Sequence, residues 1–118
     1  MIELKFEQAV ELLNRAVDEK GADFTYDTHP FTSCVYYESD GTPSCIVGHV
    51  FSYLGITKDD LTDPSHNQEG LGLMYNSYLE VDYQTLELLE KVQSLQDNEV
   101  SWGQAVDEAI DHVTHFVA

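Results

Sequence analysis

Apolar side chains recur every three or four residues over long stretches of this chain, which is the pattern of amphipathic helices. Such stretches cover residues 4–20, 83–96 and 102–115. The stretch at 43–54 differs, because apolar residues occupy most of its circumference and not one side alone. We therefore expect this second helix to be the buried centre of the fold, with the three amphipathic helices around it.

Several of the predicted helices begin with residues that favour a helix N-terminus. Thr42 followed by Pro43 predicts an N-cap and a first helical position for the central helix. Asp82 is expected to cap the third long helix. Residues 57–60, with sequence TKDD, have the form of a capping box and predict a short helical turn.

Two short runs between the first and second helices, 22–26 and 33–37, are rich in aromatic and β-branched residues. A His29-Pro30 break separates them, so they predict a small antiparallel β-hairpin from 22 to 38. The expected fold class is α+β and mainly helical, with about four helices. The length of 118 residues predicts one compact domain over 1–118.

The charge of the chain is strongly negative, since 22 acidic residues stand against 5 basic ones and give a net charge of −17. The five cations are scattered singly, which argues against direct binding to nucleic acid or to an anionic membrane. Apolar runs are far shorter than the ~18 residues of a membrane span, and the first residues lack the pattern of a secretory signal. We expect a cytoplasmic protein, whose acidic surface either attracts a basic partner or only solubilises the chain.

The residues with most chemical potential lie on the central helix. Cys45 is expected near its first turn, where unpaired N–H groups favour a thiolate, and His49 follows one turn later. This pair is a candidate nucleophile and base. The alternative is packing, which we favour, because cysteine is among the most buried residue types and Gly48 lets a neighbouring backbone approach closely.

The same residues allow a zinc interpretation. Cys45 and His49 are spaced to bind one ion, and Cys34 or His29 from the predicted hairpin would complete the ligand set. Against this, the chain has no Cys-x-x-Cys or His-Glu-x-x-His motif. The sequence predicts no cofactor, and each of the four residues has an ordinary structural use.

Three segments together resemble a family of small proteins from actinobacteria and the phages that infect them. They are residues 18–23 (DEKGAD), 40–50 (DGTPSCIVGHV) and 93–97 (QSLQD) with 101–105 (SWGQA). The resemblance implies no activity, only a small intracellular protein encoded by a phage or its host. A more distant likeness, to papain-like cell-wall peptidases whose helix opens with cysteine, lacks the later sheet that would supply their catalytic histidine.

Two functions from different classes follow from these observations. The favoured one is a non-catalytic interaction factor that binds a basic host protein through its acidic surface, with mimicry of nucleic-acid charge as a sharper variant. The alternative is a small cysteine-dependent enzyme or zinc-binding module centred on Cys45 and His49. Accessibility of the Cys45 thiol separates the two.

Overall fold

Four α-helices account for most of the chain that the computed structural model describes, which comprises residues 2–26, 35–61, 66 and 78–115. They are α1 (Phe6–Lys20), α2 (Ile46–Tyr53), α3 (Tyr83–Asp97) and α4 (Trp102–His115), and a 3-10 turn spans Lys58–Asp60. A two-stranded sheet consists of β1 (Ile2–Glu3) and β2 (Leu79–Glu80). The mainly helical α+β class is therefore confirmed.

The core forms around α2, as its apolar circumference predicts. Six consecutive residues of this helix, from Ile46 to Phe51, are buried. Helices α1, α3 and α4 each turn one apolar face inward, and α3 lies antiparallel to α4, with Gln84 Nε2 donating to the Val113 carbonyl at 3.3 Å. No helix in the described ranges is both long enough and apolar enough to cross a bilayer.

The predicted antiparallel hairpin from 22 to 38 is wrong. Within its described residues, 22–26 and 35–38, the two runs do not pair with each other, and the sheet of the structure is parallel. The backbone of the first run serves α4 instead. Trp102 N–H donates to the Phe24 carbonyl at 2.8 Å and Gly103 N–H to the Ala22 carbonyl at 2.9 Å. These N–H groups open a helix and have no partner inside it, so the run caps α4 in place of forming a strand.

The second run pairs forward along the chain. Ser44 N–H donates to the Tyr36 carbonyl at 2.8 Å, and Tyr37 and Pro43 form an isolated antiparallel bridge. Because residues 42–44 belong to this ladder, α2 begins later than Thr42-Pro43 predicts. Its N-cap is Cys45. The predicted Asp82 cap is confirmed, since its side chain accepts from Thr85 N–H at 2.8 Å. Thr57 N–H likewise donates to Asp60 Oδ2 at 2.7 Å, as the predicted capping box requires.

The parallel sheet joins two distant parts of the chain and determines where two helices start. Ile2 lies opposite Leu79 and Glu3 opposite Glu80. Ile2 N–H donates to the Tyr78 carbonyl at 3.1 Å, and Leu4 N–H donates to the Glu80 carbonyl at 3.0 Å. Helix α1 follows β1 and helix α3 follows β2, so the first turns of both helices lie at the same edge of the sheet.

Candidate functional site

The thiol of Cys45 lies inside the core at the start of α2. The residue has no exposed surface, and its Sγ accepts hydrogen bonds from Gly48 N–H at 3.4 Å and from Gln93 Nε2 at 3.3 Å. The sulfur thus replaces the oxygen that a serine or aspartate N-cap would supply. These contacts show that the Cys45 thiol caps the start of α2 and is enclosed by protein.

The side chain of Gln96 completes this helix start from α3. It is fully buried, its Oε1 accepts from Ile46 N–H at 2.8 Å, and its Nε2 donates to Asp97 Oδ1 at 2.8 Å. The first N–H groups of a helix have no partner within it. Side chains of α3 therefore satisfy the N-terminus of α2, a role that the sequence did not suggest, because Gln96 reads as the polar end of an amphipathic stretch.

His49 bonds to the backbone of Cys45 and not to its thiol. The imidazole Nδ1 lies 2.9 Å from the Cys45 carbonyl oxygen. A carbonyl only accepts, so Nδ1 carries the proton and the neutral ring has its lone pair on Nε2. The ring is buried edge-to-face against Trp102, with centroids 5.2 Å apart, and burial lowers the pKa of His49.

Gly48 lies against another part of the backbone, as the sequence predicted. A Cβ at this position would overlap the carbonyl oxygen of Tyr36. That oxygen is the acceptor for Ser44 N–H, so it cannot move away without breaking the short ladder. Glycine is therefore required where α2 crosses this strand-like segment.

The structure brings together two of the four candidate site residues. Cys45, the N-cap of α2, and His49 lie one turn apart at the start of this helix, while Cys34 and His29 lie outside the described residues. Within residues 2–26, 35–61, 66 and 78–115, no cluster of three or more His, Cys, Asp or Glu side chains could hold a metal ion. The described contacts of Cys45 and His49 are those of a packed junction between helices.

A cleft of about 580 Å³ opens at the edge of the sheet where α1 and α3 begin. Its charged lining residues are four acidic ones and a single basic one, namely Glu3, Glu7, Glu80, Asp82 and Lys5. Leu4, Phe6 and Val81 contribute apolar wall. The sequence did not predict this cleft, because its carboxylates come from segments that meet only through the unforeseen pairing of β1 with β2.

An exposed aromatic residue, Tyr83, comes directly after the cleft residue Asp82 in the sequence. Tyr83 is 66% exposed and is the one large hydrophobic residue exposed in the described part of the chain. The charge of Glu87, one turn along α3, and a hydrogen bond to it raise the pKa of Tyr83. Burial and the Glu87 charge raise the pKa of Glu90 in turn. Tyr83, Glu87 and Glu90 therefore continue the acidic surface along α3.

Ion pairs within the described part of the chain involve few of its carboxylates. The ion pairs among the described residues are Arg15–Glu19, at 3.8 Å, and His115–Asp111, at 3.1 Å, which requires a protonated histidine. On α4, Asp107 and Glu108 are exposed. The excess negative charge thus lies at the surface, as the composition indicated.

Comparison of the chain with protein-family models, with curated proteins and with solved structures gives no match.

Proposed function

We propose that this protein is a non-catalytic interaction factor, acting in the cytoplasm, that binds a basic protein through its acidic surface. The observation that supports the proposal is the cleft, where four carboxylates line about 580 Å³ beside the exposed ring of Tyr83. Carboxylates attract lysine and arginine, and exposed tyrosines supply contact area at low entropic cost. The resemblance to proteins of actinobacteria and their phages is consistent with a phage-encoded factor acting on a host protein.

The cleft is a better binding site than the acidic surface of α4 for a geometric reason. Exposed carboxylates on a convex helix are screened by salt and water. In the cleft, Glu3, Glu7, Glu80 and Asp82 line one open concave surface, so their fields add where a cationic side chain would enter. Apolar wall beside them, including Phe6, offers contact for the methylene groups of a lysine.

A titration with octalysine tests both the charge and its location. The binding is measured from the NMR shifts of backbone amides. We expect it to be saturable, with an affinity that falls steeply from low to high salt. In the double variant Glu7→Gln/Glu80→Gln the affinity should fall severalfold. The matched control is Asp107→Asn/Glu108→Gln, which removes the same charge from α4 and should change the affinity much less.

The outcomes separate the two parts of the proposal. Absence of salt-sensitive octalysine binding would leave the acidic surface with a solubilising role only. Equal losses in the two double variants would contradict the cleft as the binding site while leaving charge-driven binding intact. The natural partner is then sought by capture from host lysate at low and high salt, with the Glu7→Gln/Glu80→Gln variant as the reference bait.

A further inference from the structure

A chain of aromatic rings links three parts of the molecule through His49. The ring centroid of Trp102 on α4 lies 4.7 Å from that of Phe24 and 5.2 Å from that of His49 on α2. His49 in turn lies 6.4 Å from Tyr53. All of these contacts except the last are close edge-to-face packings, so His49 occupies the middle of the junction between α2 and α4.

Cations from α1 cover both ends of this chain of rings. Arg15 Cζ lies 4.1 Å from the centroid of Tyr53, and Lys20 Nζ lies 5.4 Å from that of Phe24. Tyr53 also donates its hydroxyl proton to Glu19 Oε2 at 2.7 Å. Helix α1 is therefore attached to the same junction, and a movement of the His49 ring would disturb contacts of three helices.

Among the described residues, the His49 ring has one hydrogen-bond partner, the carbonyl oxygen of Cys45. The Nδ1–H group already bonds to the Cys45 carbonyl oxygen, and Nε2 has no hydrogen-bond partner among the described residues. The adjacent indole Nε1–H of Trp102 is itself buried without a partner. Protonation of His49 would thus place a full positive charge on a residue that is only 3% exposed, beside this unpaired donor.

The charged and titratable groups that face His49 do not compensate for that charge. From α1, Glu19 favours the imidazolium, but its carboxylate is shared between Tyr53 and Arg15, and Lys20 opposes it. From α2, the ring of Tyr53 lies beside His49, and the carbonyl oxygen of the N-cap Cys45 accepts its Nδ1–H. From α4, Trp102 carries no charge. Burial is the largest influence on His49, and it favours the neutral ring.

We propose that His49 is an acid-sensitive latch, which holds α1, α2 and α4 together while its imidazole is neutral and opens the junction when it is protonated. An open junction exposes the imidazole to water, where its pKa returns to about 6.5. Opening therefore becomes more favourable as the pH falls below that value. The opening constant rises up to about tenfold for each pH unit until the ring is protonated in the closed state as well.

The chain has a single tryptophan, and it lies in this junction, so its indole proton reports on opening. Hydrogen exchange of the Trp102 Nε1–H group is measured by NMR between pH 7 and pH 5, together with the titration of the His49 ring. This range lies above the usual pKa values of carboxyl groups, near 4. We expect the protection factor of the indole proton to fall as the pH decreases, while far-UV circular dichroism shows the helices retained.

The matched variant is His49→Asn, whose amide nitrogen can replace Nδ1–H as donor to the Cys45 carbonyl but does not titrate. Its protection factor should be independent of pH over the same range. His115→Gln, at an exposed position of α4, serves as the control and should behave as the wild type does. Constant protection in the wild type, or a parallel loss of protection in His49→Asn, would overturn the proposal. Should His49→Asn fail to fold, a protection factor in the wild type that keeps falling after the His49 ring has titrated would overturn it equally, because the opening constant of the latch is constant from that point on.

Discussion

The Gln96 side chain accepts a hydrogen bond from the backbone of Ile46, which is 50 residues earlier in the chain, and so closes the N-terminus of the central helix from outside. Both groups are buried. The Gln96 amide therefore contributes more to the stability of the fold than its position at the end of an amphipathic stretch suggests.

Replacing Gln96 by leucine is expected to destabilise the protein by about 1–3 kcal/mol, because it leaves the Ile46 N–H buried without an acceptor. Urea denaturation followed by circular dichroism measures the change. Gln104→Leu is the control, since Gln104 is exposed on α4 and bonds only to Glu108 among the described contacts. Equal stabilities of the two variants would contradict the capping role.

Gly48→Ala is expected to cost at least ~1–3 kcal/mol, the usual penalty for overpacking, because the new methyl group overlaps the Tyr36 carbonyl oxygen. Ser52→Ala, one turn later on α2, is the control and should lower the melting temperature much less. The measurement is thermal unfolding of both variants. A melting temperature unchanged in Gly48→Ala would show that the two backbones can separate freely.

Trp102→Ala is expected to cost ~3–5 kcal/mol, since the indole is fully buried between Phe24 and His49. Chemical denaturation gives the loss of stability. In the wild type at neutral pH, the indole should emit at short wavelength and resist quenching by acrylamide. Ready quenching of the native protein would be inconsistent with this burial.

Cys45 should react slowly with iodoacetamide in the native protein between pH 6 and pH 8, because the thiol is enclosed and already accepts two hydrogen bonds. The variant Cys34→Ala isolates this thiol, and labelling in urea gives the rate of the open chain. Elemental analysis for zinc accompanies the experiment. Fast labelling near pH 6 would favour the enzyme alternative, and bound zinc with protected thiols would favour a metal site.

Periodicity was sufficient to locate the helices, because the positions of apolar residues depend on which face a helix buries. The burial of α2 could be predicted for the same reason, and the close approach at Gly48 because glycine has no side chain to keep a neighbouring backbone away. The hairpin could not, since the aromatic residues of 22–26 favour an extended backbone equally well whether its carbonyls pair with a strand or cap a helix. In the structure, the carbonyls of Phe24 and Ala22 accept hydrogen bonds from Trp102 N–H and Gly103 N–H.

The cleft illustrates a second limit of sequence reasoning. Each parallel strand is only two residues long, which is too short to give an alternating pattern. Their pairing depends on tertiary contacts, and the carboxylates of Glu3 and Glu80 become neighbours only through it. For Cys45 and His49 the spacing on one helix was correct, whereas the enclosure of the thiol by Gln93 required knowledge of how α3 packs.

The first turns of two helices depend on groups from other parts of the chain, which links the helices in folding. Helix α2 depends on Gln96 of α3 for its first N–H group, and α4 depends on the carbonyls of Ala22 and Phe24, which follow α1. An isolated segment containing either helix would lack these partners and leave its first turn frayed. The four helices should therefore form one cooperative unit, in which no single helix is retained once its neighbours have unfolded.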